Sequence, residues 1–590
     1  MLWYNERIKK DTKRINITFS MCCLKGKVQL PLMRPPPSKL QNLFFSKDST
    51  DSKNFQANIR QYNNMFSFTS LGGKIDHSKN SSGGPYSFVM HGVNYHSIGS
   101  LLPPKGGRPV YSQLYIFDTE HEVANQISAV SKHQTQSTIL PKIVNQIKDV
   151  LDAVNPFVQQ YRCALSMIMN EGQNELKLCL ISSRDTDGRT FNLPSALEVA
   201  TLIVGDIDMS FNYPILFPYG EDGYKVDIDH REESLAITKK KKKLSMREYF
   251  TFRLMVRENE ISTLLHARRL LQQFVVDGYT MIESQRLLWV KTHQRELRVD
   301  LYQGLSDALT SGERDAASIG RRIILPSSFT GGARYMIMNY QDAMAICRWV
   351  GYPDIFITFT CNLAWPEITR FCSQHGLHPS DRLDILCRVF KMKLQSLMKT
   401  IKTKKIFGTV RAEIYTIEFQ KRGLPHAHIL LFLDTRDKLK HPKDVDKIIC
   451  AEIPDKDSSL LLYDLVRKFM VHGPCGSSNP KSPCMKDKKC SKYFPKRFND
   501  NTKVDDEGYP TYRRKANGRL VEIKSITLDN RYVVPYNPSL LQMFQAHINV
   551  EKCNQSSAIK YLFKYISKGN DRVVVKIFDK DGAAIFDEIQ

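Results

Sequence analysis

Pro425-His426-Ala427-His428 opens an apolar run, Ile429 to Leu433, and constrains the fold more than any other stretch of the chain. The run reads as a strand. Side chains alternate faces along a strand, so His426 and His428 point one way and Ala427 the other. Two imidazoles on one face, a few ångströms apart, are half of a site for a divalent ion. Just upstream, Ile417 to Gln420 also reads as a strand, turning through Lys421, Arg422, Gly423 and Leu424. A hairpin there brings Glu418 or Gln420 over the same face as an oxygen ligand, with Glu418 the first choice. Two nitrogens and one oxygen with open positions suit Mg²⁺ or Mn²⁺ bound to a phosphate. A pair of structural histidines at a strand end is the competing reading.

The surroundings of this hairpin predict an α+β fold. Asp354 to Cys361 and Thr409 to Gln420 read as further strands, with helices over Pro366 to Gln374 and Leu386 to Ile401. This places an α+β sheet domain over 336–575. Ahead of it, 241–335 reads as a helical domain, carried by Met246 to Asn259 and Leu264 to Leu309. The segment 111–240 reads as α+β, with Ser112 to Asp118 as a strand and Ile139 to Val154 as an amphipathic helix. Residues 1–110, rich in Asn, Ser, Gly and Pro, read as an irregular, loosely packed N-terminal module. Residues 576–590 begin a C-terminal extension.

Charge narrows the partners. Lys and Arg number 85 against 61 Asp and Glu, a net charge of +24, which favours polyanions and nucleic acid foremost. Lys239 to Lys243 form an unbroken lysine run, read as a linker or solvated helix start before a nuclear-import signal or phosphate contact. No stretch approaches the roughly 18 apolar residues of a membrane span, so no membrane partner is expected. The first residues, Met1 to Arg14, lack a signal-peptide core. A nuclear address is expected.

Two more clusters carry chemistry. Read as a helix, Ile559, Leu562, Phe563 and Ile566 form a buried stripe, and Tyr561, Lys564, Tyr565 and Lys568 repeat the spacing on the opposite face. Gly569 caps it. A phenol displayed among lysines can attack a phosphodiester when the phosphate is polarised; surface tyrosines on a basic helix are the plainer reading. His472, Cys475, Cys484 and Cys490, spaced by Gly, Pro, Ser and Lys, resemble a Cys₃His structural Zn²⁺ site, against reduced cysteines in a loop. Lys489 and Lys492 beside it, with Lys421 and Arg422 in the hairpin turn, are candidate nucleic-acid contacts.

Taken in order, the segments Phe356 to Glu367, Glu418 to His428, His472 to Cys475, His547 to Cys553 and Tyr561 to Tyr565 resemble the Rep endonuclease region of Helitron rolling-circle transposases. The part before it resembles the Helitron helicase-like N-terminal domain. The resemblance runs from Cys22 onward and is most specific from about 246 to 570. It implies an HUH nuclease: an antiparallel sheet carrying metal ligands His426 and His428, and a helix presenting nucleophiles Tyr561 and Tyr565. The implied reaction is metal-dependent cutting and strand transfer on single-stranded DNA through a 5′-phosphotyrosine. His547 is a further site candidate. The alternative is a truncated or domesticated relative that binds DNA without cutting. Asn362-Leu363 stands where the family has Asn-Pro, and the upstream cysteines that pair with the Cys22-Cys23 region are absent. Family members continue into a Pif1-type helicase, expected as a partner outside this chain. No G-x-x-x-x-G-K-[ST] occurs in the sequence.

Overall fold

The computed structural model describes residues 19, 23–75, 90–97, 102–103, 106–130, 138–171, 177–181, 198–202, 209–226, 228–231, 243–257, 259–294, 296, 324–330, 332–419, 424–506, 508–553, 576–578 and 584–586. They form an α+β protein whose chain divides into two compact units: Met1–Trp289 with Cys372–Arg382, and Val290–Phe371 with Leu383–Gln590. Among the described residues no helix is long and apolar enough to cross a membrane.

The first unit is mostly helical. Its elements include α1 (Ser38–Phe45), α2 (Thr50–Phe66), α3 (Pro141–Val154), α4 (Pro156–Glu171), α5 (Met246–Arg253) and α6 (Arg269–Thr292). The start of α5 is written in the sequence as Ser-x-x-Glu. The Ser245 hydroxyl accepts from the Glu248 N–H at 3.3 Å, and the Glu248 carboxylate accepts from the Ser245 N–H at 2.8 Å. Two local expectations do not hold. Residues 38–66 are not loose: Phe55, Ile59, Tyr62 and Phe66 on α2 are fully buried in an aromatic core with Phe68, Tyr115 and Tyr161. Their apolar stripe outweighs the polar, glycine-rich composition around it. Tyr111–Tyr115 forms a 3-10 turn and not a strand, because its buried tyrosine ring stacks on Phe68 at 5.0 Å. The segment Cys372–Arg382 joins this unit through Arg268, whose guanidinium meets the Asp381 carboxylate at 3.1 Å.

The second unit is built on a four-stranded antiparallel sheet. Its strands are β1 (Ile355–Thr360), β2 (Val410–Phe419), β3 (Pro425–Leu433) and β4 (Ile548–Lys552), in the order β4-β1-β3-β2. The first three are the strands read from sequence. β4, from far along the chain, closes one side of the sheet. Alternation gives the sheet two unlike faces. On one, Ile355, Ile357, Phe359, Ala427, Ile429 and Leu431 are fully buried. This face meets α8 (Leu383–Thr403), whose Ile385, Leu386, Val389, Phe390, Leu394, Leu397, Met398 and Ile401 recur at helical spacing and are all buried.

Phe359 is the keystone of that layer. Its ring lies 5.3 Å from Phe390, 5.9 Å from Trp365 and 5.9 Å from Phe544. Phe359→Ala is expected to destabilise the unit by about 3–5 kcal/mol, the usual cost of emptying a buried aromatic site. Urea unfolding followed by tryptophan fluorescence measures it; a loss below 1 kcal/mol contradicts the packing described.

The other face is divided along its length. Toward one end Phe356, Leu430 and Phe432 pack with Ala343 and Cys347 of α7 (Ala333–Val350). Toward the other end the positions on this face are polar and half-buried or buried, among them Thr358, Thr360, Glu418, His426 and His428. The long excursion between β3 and β4 has its own core, in which Leu465 and Val466 of α9 (Leu460–Phe469) meet Met470, Val521, Leu528, Val533, Tyr536 and Leu541 of α10 (Pro538–Phe544).

Candidate metal and nucleic-acid site

The polar end of the sheet is set by register. Across β3, His426 lies opposite Thr360 on β1 and Glu418 on β2, and His428 lies opposite Thr358 and Thr416. All six therefore share one face. The Glu418 carboxylate stands 3.5 Å from His428 Nε2. On the same face Asn549 of β4 lies opposite Thr358.

Both imidazoles are held through their Nδ1 atoms. Thr360 Oγ1 is 3.1 Å from His426 Nδ1, and Thr358 Oγ1 is 3.3 Å from His428 Nδ1. In the tautomer whose Nδ1–H donates to threonine, Nε2 keeps its lone pair for a ligand. Phe356 stacks on the His428 ring at 5.8 Å and 5°. His547, at the head of β4, is fixed more firmly, because a carbonyl can only accept. Its Nδ1–H donates to the Phe469 carbonyl at 2.7 Å, leaving Nε2 as an acceptor when the ring is neutral.

These side chains line one cleft of about 520 Å³: Thr358, Thr360, Glu418, Phe419, His426, His428, Lys492 and His547. Three buried polar atoms on its sheet face have no hydrogen-bond partner among the described residues, namely His426 Nε2, Thr416 Oγ1 and Asn549 Oδ1. Each such atom costs about 1–3 kcal/mol unless something fills the site. That orphaned Nε2, two more imidazoles and a carboxylate are the donors that Mg²⁺ or Mn²⁺ with retained waters would take. The residues present fit the ion.

Burial, with His428 and His547 adding to it, holds the His426 imidazole down at about 4. Burial also lowers His547. Both are thus neutral, the ligand form, at physiological pH. The unfolded chain takes up protons near 6.5, but folded His426 does so only near 4. Metal-free protein therefore loses stability as pH falls from about 6.5 to 4, by up to about 3 kcal/mol from His426. Thermal melts across that range, compared with His426→Gln, check this. A variant with the same pH dependence as the parent contradicts it.

A second group closes within the excursion. One donor atom from each of His472, Cys475, Cys484 and Cys490 lies within 4.8 Å of the others, a group able to hold a metal ion. Among the described residues it is the one set of three or more such donors so tightly gathered; His426, His428 and Glu418 are spaced more widely. The hairpin Met485–Lys486 with Lys489–Cys490 turns through Asp487 and Lys488, both in the left-handed region, and returns Cys490 toward Cys484. The His472 ring stacks on Phe494 at 4.2 Å, with Nε2 3.4 Å from Cys490 Sγ. Burial and the neighbouring Cys484 and Cys490 push the Cys475 thiol up to about 12. Burial raises Cys490, but hydrogen bonds from the N–H groups of Phe494 and Lys492 and from the Cys484 and Cys475 side chains together bring the thiol below its ordinary value. Crowded thiols and one imidazole are the donor set of structural Zn²⁺, which displaces the thiol protons.

The other residues singled out in the sequence are placed as follows. Lys492 lies in the His426 cleft, while Lys489 is exposed on the cysteine hairpin. Gln420, Lys421, Arg422, Tyr561, Lys564, Tyr565 and Lys568 lie outside the described residues. Asn362, at the departure from Asn-Pro, caps its own loop through the Ala364 N–H at 2.9 Å and donates to the Gln545 carbonyl at 2.7 Å. Sequence reading missed Thr358 and Thr360, although the period-two pattern Thr358-Phe359-Thr360 carries the signal.

The fold and the cleft thus define a sheet-borne cluster of histidines and a carboxylate on a strongly basic chain. Residues 249–431 match the family model described as Helitron helicase-like domain at N-terminus. The matched stretch takes in β1, β2 and both His426 and His428, and ends before the cysteine cluster and β4. No curated protein matches the chain.

Proposed function

We propose that this chain is the nicking and joining nuclease of a Helitron-type rolling-circle transposase, acting on single-stranded DNA. The observation that carries the reading is His426, His428 and Glu418 on one sheet face of one cleft, inside the stretch similar to the Helitron helicase-like domain. Divalent Mg²⁺ or Mn²⁺, when bound, would supply Lewis-acid polarisation of the scissile phosphate. His426 and His428 would hold it with Glu418; Thr358 and Thr360 orient the rings. His547 borders the same space with its Nε2 free to accept.

In this reading Tyr561 or Tyr565 provides the nucleophile. The phenol oxygen forms a bond to phosphorus as the P–O3′ bond breaks. The phenolic proton leaves, and the departing oxygen is protonated to a free 3′-hydroxyl. The phosphotyrosine keeps the energy of the broken ester, so a 3′-hydroxyl can reverse the step without ATP. Lys564 and Lys568 would stabilise the phenolate. A Pif1-type helicase to supply the single strand and a nuclear location belong to the same proposal.

The test is nicking of end-labelled single-stranded oligonucleotides. The reading expects cutting in Mn²⁺ or Mg²⁺, none in a chelator, and a product with a free 3′-hydroxyl. Salt-sensitive binding without cutting in any metal favours the alternative, a relative that binds DNA but no longer cuts.

A further inference from the structure

The loop leaving the cysteine hairpin has features that neither metal binding nor core packing requires. The Lys492 N–H donates to Cys490 Sγ at 3.4 Å, and the Tyr493 N–H donates to the Cys490 carbonyl at 2.8 Å. Tyr493 is held at φ 57°, a left-handed conformation that costs a non-glycine residue about 1 kcal/mol or more. Its ring gains no burial in return, being 82% exposed. Lys496 braces the loop from behind: its ammonium donates to the Lys492 carbonyl at 3.1 Å and lies 5.8 Å from the Tyr493 ring centroid. Phe494, the next residue, is clamped on the His472 ring. The loop is therefore fixed at both ends by the cluster. It delivers Lys492 into the His426 cleft and leaves a tyrosine standing in water beside it.

We propose that Lys492 and Tyr493 form a single-strand clamp mounted on the Cys₃His cluster. Lys492 pairs with a backbone phosphate of the strand lying in the cleft, and the Tyr493 ring stacks an unpaired base next to it. An aromatic face accepts any base, and a neighbouring cation strengthens the stack. The metal of the cluster acts as the mount: it fixes Cys490, and Cys490 fixes both residues through the two hydrogen bonds. The assignment of the ligand as single-stranded DNA rests on the nuclease reading; the clamp geometry does not.

The full chain, zinc-loaded and without Mg²⁺ or Mn²⁺, is titrated into a fluorescently labelled oligothymidylate and into a duplex of equal length. Tyr493→Ala is expected to weaken single-strand binding roughly tenfold, with Tyr493→Phe near the parent and duplex binding unmoved. Tyr493→Gly removes the ring while relieving the backbone, so a matching loss there excludes misfolding as the cause. Lys492→Ala is expected to flatten the logarithmic salt dependence by about one unit. Cys484→Ser should reproduce both losses together. Parent-like single-strand binding by Tyr493→Ala and Tyr493→Gly overturns the proposal, as does an equal loss on duplex. Because no cutting occurs in this assay, a chain that shows the clamp effects but never nicks would sink the nuclease reading alone.

Discussion

His426→Ala is expected to lower metal-dependent nicking by about a thousandfold while leaving DNA binding nearly intact. Lewis-acid polarisation supplies several kcal/mol to a phosphoryl reaction, and about 4 kcal/mol corresponds to that factor. The expected loss is specific to His426 because its Nε2 is buried, neutral at ordinary pH and without a partner among the described residues. A histidine kept only for structure would use that nitrogen. Thr360→Val gives the sharper version. It keeps the shape of the side chain but removes the hydroxyl 3.1 Å from Nδ1. Groups that orient a ligating histidine are worth about 10–100-fold, so nicking should fall by that much, with recovery at raised Mn²⁺. Unchanged activity in both variants would remove the metal role from this pair.

Cys484→Ser is the second large effect. Structural Zn²⁺ in small sites contributes apparent binding energies of about 10–16 kcal/mol, and that energy is folding energy. The segment around Cys475, Cys484 and Cys490 has a hairpin only two residues deep, too short to hold itself together. The separate apolar core of Leu465, Val466, Met470, Val521 and Val533 does not depend on the cluster. Loss of one thiolate should therefore open residues near 472–496 to protease while the sheet survives. Zinc content by mass spectrometry should fall from one ion per chain to near zero. A full zinc complement, or unchanged protease resistance, contradicts the assignment.

Much of the sheet was legible because its signals are local. The His-Ala-His spacing fixes a shared face by alternation alone, and the short turn to β2 fixes Glu418 opposite His426. The helix α8 likewise announces itself in its apolar spacing. What was less legible is long-range. His547 reaches the cleft only because β4 pairs with β1, and no local pattern predicts that partner. Lys492 was singled out for its charge beside the cysteines, but its place among the histidines follows from a fold-back of the whole excursion. Residues 38–66 misled for another reason: composition averaged over a long window hid one strong amphipathic helix, α2. Ser112 to Asp118 read as a strand, yet tertiary packing of Tyr115 against Phe68 decides a turn over Tyr111–Tyr115.

The nuclease chemistry is tested most directly by its covalent intermediate. The full chain is incubated with a labelled single-stranded oligonucleotide and Mn²⁺, denatured, digested, and searched by mass spectrometry for a nucleotide-modified peptide. A denaturation-resistant adduct is expected at Tyr561 or Tyr565, absent with chelator, absent in His426→Ala and absent in Tyr561→Phe/Tyr565→Phe. Cut DNA with no protein attached, or an adduct that forms as well in His426→Ala, would contradict that chemistry.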